Sequence, residues 1–184
     1  IVNDDYLTRM PEGQTVIYYA TGPDRSAVER LPQMELLREK GLEVLYLFDQ
    51  VDEFALDALG EYKEKKFQSI SRGDLKLDDI ANPDTKQEAE KLAKENESLL
   101  KAVKDQLADK VAEVKISHRL KSSPVCLVTG DNGISLAMEK ILTEMDKEKA
   151  MYKASRILEL NPNHQIFAAL KKLYAADPAG PAFK

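Results

Sequence analysis

Two short apolar runs, Thr15 to Thr21 (TVIYYAT) and Glu43 to Phe48 (EVLYLF), constrain the fold of this chain more than any other feature. Both are dense in β-branched and aromatic residues, the signature of buried strands. Between them, Gly22-Pro23-Asp24 ends the first run, and Asp24 can cap a short helix through Leu31. Pro32 suits the first turn of a second helix, which Gly41 can close in the left-handed conformation. Strand, helix and strand in this order favour a right-handed crossover onto a parallel sheet. Beyond it, Val51, Phe54, Ala55, Ala58 and Leu59 share one face of an expected helix, and Tyr62 to Ile70 reads as an edge strand or extended segment.

Arg72 to Pro83 is polar and broken by Gly and Pro, as a linker would be. Thr85 and Glu88 have capping-box spacing. From Ala89 to Leu107 apolar residues recur at helical spacing, with Glu90–Lys94 and Glu97–Lys101 pairs opposite, which predicts one charged helix long enough to connect two units. A second unit then begins near Val111. Val111 to Leu120 and Pro124 to Thr129 read as strands joined by a turn, Ile134 to Lys147 as a helix, Ser155 to Leu160 as a strand and His164 to Ala175 as a last helix. The expected class is mixed α/β (α+β). It comprises two small α/β units, the first a three-layer α/β/α sandwich, joined by a long connecting helix. The expected divisions are 1–78, 79–108 and 109–184.

The chain carries little that composes an active site. The glycine-containing junctions at Gly22 to Ser26 and Gly130 to Gly133 could cradle phosphate, but neither matches a dinucleotide or P-loop fingerprint. The second also places Asp131 where an anion would sit. His118, read within a strand, and His164, read as a helix cap, have no partner at metal-ligand spacing. Cys126 lies among apolar strand residues, as a buried inert thiol would. The formal charge of -5 argues against a non-specific nucleic-acid binder. No apolar run reaches the ~20 residues of a membrane-spanning helix. The lack of an initiator Met suggests that the chain begins inside a longer protein, and a single cysteine fits a reducing cytosol.

The most informative pattern is apolar. Ile134, Met138, Ile141, Leu142 and Met145 form one stripe of the expected helix, while Leu136 and Ala137 lie on another side. Such a helix is either enclosed or exposes a binding patch; core is the default reading and a binding surface the alternative. Phe54, Leu56 and Asp57 on the earlier helix pose the same question.

Long motifs then suggest a family. Ser117-His118-Arg119-Leu120 followed by Ser123-Pro124, and Glu159-Leu160-Asn161-Pro162 followed by His164, resemble the C-terminal domain of the heat-shock protein 90 family. Tyr6 to Leu59 resembles the end of its middle domain, and the compact linker resembles the bacterial HtpG branch. The resemblance implies a homodimeric, ATP-driven, cytoplasmic chaperone acting on unfolded or partly folded client proteins, with no nucleic-acid or membrane partner. It implies no cofactor and no catalysis in this stretch. ATP and magnesium would bind in a domain upstream of Ile1, and the dimer-closing helices would lie mostly beyond Lys184. Carried over by motif, the client-binding residues would be Glu53, Phe54, Asp57, Ile134, Met138, Ile141 and Leu142. The family often has a larger aromatic in place of Phe54, and sometimes Met in place of Ile134. Two other readings stay open: a phosphate- or nucleotide-binding α/β enzyme, and a purely structural coupling module.

Overall fold

In a computed structural model, the chain runs α1 (Val2–Arg9), β1 (Val16–Thr21), α2 (Arg25–Glu29), α3 (Met34–Glu39), β2 (Leu45–Leu47), α4 (Asp52–Leu59), β3 (Glu61–Tyr62) and β4 (Lys65–Ser69). It continues through α5 (Pro83–Glu95), α6 (Glu97–Leu107), β5 (Glu113–Ile116), β6 (Val125–Thr129), α7 (Leu136–Met145), β7 (Arg156–Leu160) and α8 (Gln165–Ala176). The structure describes residues 2–49, 51–73, 75, 83–130, 133–145, 153–181 and 183. This is the mixed α/β class that the sequence suggests. Two compact units divide it: Ile1–Ala81 with Thr129–Ala154, and Asn82–Val128 with Ser155–Lys184.

The first unit holds a four-stranded sheet in the order β2-β1-β4-β3. β1 lies parallel to both β2 and β4, and its first five residues are buried. Alternation splits that strand: Val16, Tyr18 and Ala20 pack with Val28, Leu36, Leu37 and Ile70, while Ile17 and Tyr19 lie on the opposite face. Asp24 caps α2 by accepting from the Ala27 N–H at 2.8 Å. Gly41, at φ +67, ends α3 and lets the Leu42 N–H reach the Leu37 carbonyl at 2.9 Å. β4 is an interior strand, not the expected edge; the edge is β3, joined to it by a turn in which Lys63 and Glu64 both have positive φ. Within the expected linker, Leu75 is a core residue, and 76–82 lie outside the described residues.

In the second unit the helical stretch expected to be continuous is two helices. Asn96 leaves helical geometry (φ -119°, ψ 21°) and its Nδ2 donates to the Leu92 carbonyl at 2.7 Å. Thr85 stands inside α5 instead of capping it, because the helix already starts at Pro83. Lys101 pairs with Asp105 instead of Glu97. The sheet order is β5-β7-β6, with β5 and β7 parallel, so the two strands joined by the Lys121-Ser122-Ser123 turn are separated by the last strand. α8 buries Phe167 on Leu99, Leu100, Val114 and Leu160. His164 caps it, Nδ1 accepting from the Ile166 N–H at 3.2 Å. His118 lies just past β5, not within a strand.

Candidate functional site

α4 reverses the polarity that its pattern predicts. Phe48, Val51 and Leu59 are 50%, 61% and 53% exposed, and Ala55 and Ala58 are exposed too. The side chain turned inward is Glu53, 2% exposed. The loop before the helix is fastened by short-range bonds, the Val51 N–H to Asp49 Oδ1 and the Asp49 N–H to Asp52 Oδ2. Glu53 can be buried because its partners come from afar. Ser135 Oγ donates to its Oε2 at 2.6 Å, and the Tyr19 hydroxyl lies 3.4 Å from Oε1. Burial is the main influence holding the Glu53 carboxyl above its usual range, and the charge of Asp57 adds to it. The Ser135 hydrogen bond, Arg72 and Tyr19 pull the other way. Burial, with the Glu53 charge second, likewise raises the Tyr19 phenol.

Ser135 also accepts from the Met138 N–H at 3.1 Å, so it caps α7 while holding Glu53. The segment before it is fixed by Arg72, whose Nη1 donates to the carbonyls of Gly130 (3.1 Å) and Gly133 (2.8 Å). Glu139 Oε2 accepts from the Ala154 N–H at 2.9 Å. A cavity of about 290 Å³ opens beside this assembly, lined in part by Leu47, Phe48, Asp49, Glu53, Lys140 and Ile141.

Of the residues expected to bind clients, Glu53 and Ile141 line the cavity. Phe54, Ile134 and Leu142 are half-buried, Asp57 is exposed, and none of the four lines it. Met138 is a core residue, 4% exposed, whereas Met145 of the same stripe is 79% exposed. Ile134 precedes α7, which begins at Leu136; the expected helix end at residues 146–147 lies outside the described residues. Tyr19, Asp49, Ser135 and Lys140 escape the sequence reading. Ser135 alone carries a local signal, as a cap residue before an apolar helix.

Glu53→Gln should stabilise the protein at neutral pH. The folded carboxyl titrates above its unfolded value, so its contribution is present in acid and is lost as pH rises through the raised folded value. Glutamine can still accept from Ser135 without a buried charge. Melting curves from pH 4 to 8 should show the variant's advantage growing with pH. A variant less stable than the parent at pH 7 would show that the charged bond to Ser135 outweighs desolvation.

The motifs that resembled a known family turn inward in the second unit. Arg119 is fully buried, with Nε 3.0 Å from Glu159 Oε2. Ser117 Oγ donates to the same oxygen at 2.8 Å, and Cys126 Sγ lies 3.7 Å from it. Asn161 holds the carbonyls of Lys121 (3.2 Å) and Ser123 (2.9 Å). These bonds build the unit from within, while Ser117, His118, Leu120 and Pro162 of the same motifs also line a small cavity of about 110 Å³. At the other glycine junction, a Cβ on Gly22 would lie 2.7 Å from Val28 Cγ2, so close packing explains that glycine. The Asp24 carboxylate caps the helix that follows; Asp131 lies outside the described residues. Among the described residues no group of three His, Cys, Asp or Glu could hold a metal, and no helix is long and apolar enough to cross a membrane.

The family model described as Hsp90 protein matches residues 1–184. A chaperone protein HtpG of Alkaliphilus oremlandii (strain OhILAs) is 47% identical over 174 residues, 95% of this chain and 27% of that protein. The chaperone protein HtpG of Bacillus subtilis (strain 168) is 45% identical over the same shares. That of Clostridium botulinum (strain Langeland) is 43% identical over 94% of this chain and 27% of its own length. The chain therefore spans about a quarter of the length of these relatives.

Proposed function

Because this chain belongs to the Hsp90 protein family, we propose that it is the client-holding and interdomain-coupling part of a bacterial-type chaperone. Residues 1–78 would be the end of the middle domain, 79–108 the connection, and 109–184 the beginning of the C-terminal domain. In the whole protein, a cytoplasmic homodimer, ATP and magnesium would act in other parts; this chain would hold apolar client segments and carry out no reaction itself.

The supporting observation is the inversion of α4. A helix that buries a glutamate and exposes Leu59 at its end, with Phe48 and Val51 exposed in the segment leading into it, departs from what burial of apolar area favours. Phe48 and Val51, exposed close together in one short segment, can form an interaction patch. The half-buried Phe54 on the same helix and Ile141 at the cavity extend the apolar area.

The test is titration of the chain with a labelled, persistently unfolded protein, followed by fluorescence anisotropy. The combined variant Val51→Ser/Phe54→Ser/Leu59→Ser should weaken binding by ~tenfold or more, equivalent to ~1.4 kcal/mol, with an unchanged circular dichroism spectrum. If the variant bound as well as the parent, client holding would be assigned elsewhere and the structural coupling reading would take its place. The buried Met138 and the Glu53–Ser135 bond favour that second reading for those residues in particular. The phosphate-binding reading gains no support, since packing and a side-chain cap account for the first glycine junction.

A further inference from the structure

Glu53 is a buried carboxylate that hydrogen-bonds two hydroxyl groups, those of Ser135 and Tyr19; Arg72 exerts a favourable charge on it, but among the described residues it forms no ion pair. A carboxylate removed from water ordinarily has a cation or several strong donors. It offers about four acceptor sites, and here two are used. The side chain is not sealed inside the fold but lines a cavity.

We propose that this cavity is a socket for one cationic side chain, a lysine or arginine of an extended client segment whose flanking residues are apolar. The inference rests on the client-holding reading and names what that surface selects. Leu47, Phe48 and Ile141 provide apolar lining suited to the methylene stem of such a side chain, which buries its carbons while its head seeks charge. Glu53 supplies that charge. Asp49 brings a second carboxylate to the lining against the one ammonium of Lys140, leaving it net negative. At about 290 Å³ the cavity stands at the lower end of the ~300–1,000 Å³ range of ligand pockets, which favours a side chain over a cofactor. An anion would meet Glu53 directly. A purely apolar group would displace water and leave the carboxylate with only the charge of Arg72, whose Nη1 is already bonded to the Gly130 and Gly133 carbonyls, to offset its burial. The exposed Phe48 at the cavity and Val51, three residues on, would take the apolar neighbours of the basic residue.

Three labelled peptides test the socket, identical except for a central lysine, norleucine or glutamate among apolar residues. Anisotropy titrations with the chain at pH 7 and low salt should give binding of the lysine peptide ~tenfold tighter than the norleucine peptide, with the glutamate peptide weakest. Glu53→Gln should abolish the lysine preference, weakening the lysine peptide and strengthening the norleucine peptide, whose apolar side chain no longer desolvates a charge. Lys140→Ala, an exposed change, should strengthen lysine binding by removing the competing ammonium. Equal affinity for lysine and norleucine peptides, a lysine preference that survives Glu53→Gln, or no effect of Lys140→Ala would overturn the socket and leave an apolar client surface standing. Failure of all three peptides to bind would instead bring down the client-holding reading, and the socket with it.

Discussion

Replacing Glu159 with alanine should remove ~3–5 kcal/mol from the stability of the second unit, the usual consequence of breaking a buried ion pair from one side. Arg119 has 0% and Glu159 4% side-chain exposure, so neither can turn to water when its partner is lost. The substitution removes the opposite charge from beside the buried guanidinium and takes away the acceptor that Ser117 Oγ reaches at 2.8 Å. Against the ~5–15 kcal/mol that holds a typical domain together, such a loss approaches unfolding at physiological temperature. Urea denaturation, read by the exchange protection of amides in β5 and β7, would measure it. Glu159→Gln should fall between parent and alanine, because it keeps an acceptor for Ser117 but no charge. The double variant Arg119→Met/Glu159→Leu should recover much of the loss, since apolar residues of similar size commonly replace a buried pair without penalty. If Glu159→Ala melted within ~1 kcal/mol of the parent, water or chain relaxation would have to be solvating Arg119.

What the sequence shows and what it hides differ by range of interaction. Asp24, Gly41 and His164 are legible because a cap or a left-handed turn is decided within a few residues, and the structure places all three in those roles. The cores of β1, β6 and β7 are legible because their apolar runs are continuous or nearly so. α4 is found as a helix, yet its buried face is misjudged. The residue that makes burial of Glu53 possible is Ser135, 82 positions later. The same limit applies to β5 and β6, whose neighbour in the sheet is a strand that has not yet occurred in the chain. Asn96 interrupts the helical stretch without disturbing its apolar period, so periodicity alone passes over the break. Met138 and Met145 share a stripe but not an environment, because α7 is covered along part of its length only. The charged socket at Glu53 thus depends on contacts between segments distant in sequence, while the exposed apolar residues around it were visible as a pattern whose direction was not.

The N-terminal helix α1 carries no strong pattern, and one oxygen atom explains why it nevertheless belongs to the first unit. The Tyr6 hydroxyl donates to the Glu43 carbonyl at 2.8 Å and accepts from Gln14 Nε2 at 2.9 Å and from the Tyr18 N–H at 3.1 Å. Tyr6 is 1% exposed. Tyr6→Phe keeps the ring but removes the partner of a buried N–H in β1, which should cost ~1–3 kcal/mol. Tyr6→Ala adds a cavity, and the total should reach ~3–5 kcal/mol, as for other buried aromatic residues cut to alanine. Exposed ion pairs at the same helix, Arg9 with Glu43 and Asp4 with Lys63, should matter far less, so Arg9→Ala is expected to shift stability by under ~1 kcal/mol. Amide exchange separates the contributions: Tyr6→Phe should speed exchange at Tyr18 most, whereas Tyr6→Ala should expose α1 as a whole. Tyr18 precedes Tyr19, whose hydroxyl faces Glu53 from the opposite side of the sheet, so loosening β1 here should also weaken the hold on that carboxylate. A Tyr6→Phe variant as stable as the parent, with Tyr18 still protected, would mean that ring packing alone docks α1 and that the hydroxyl network is incidental.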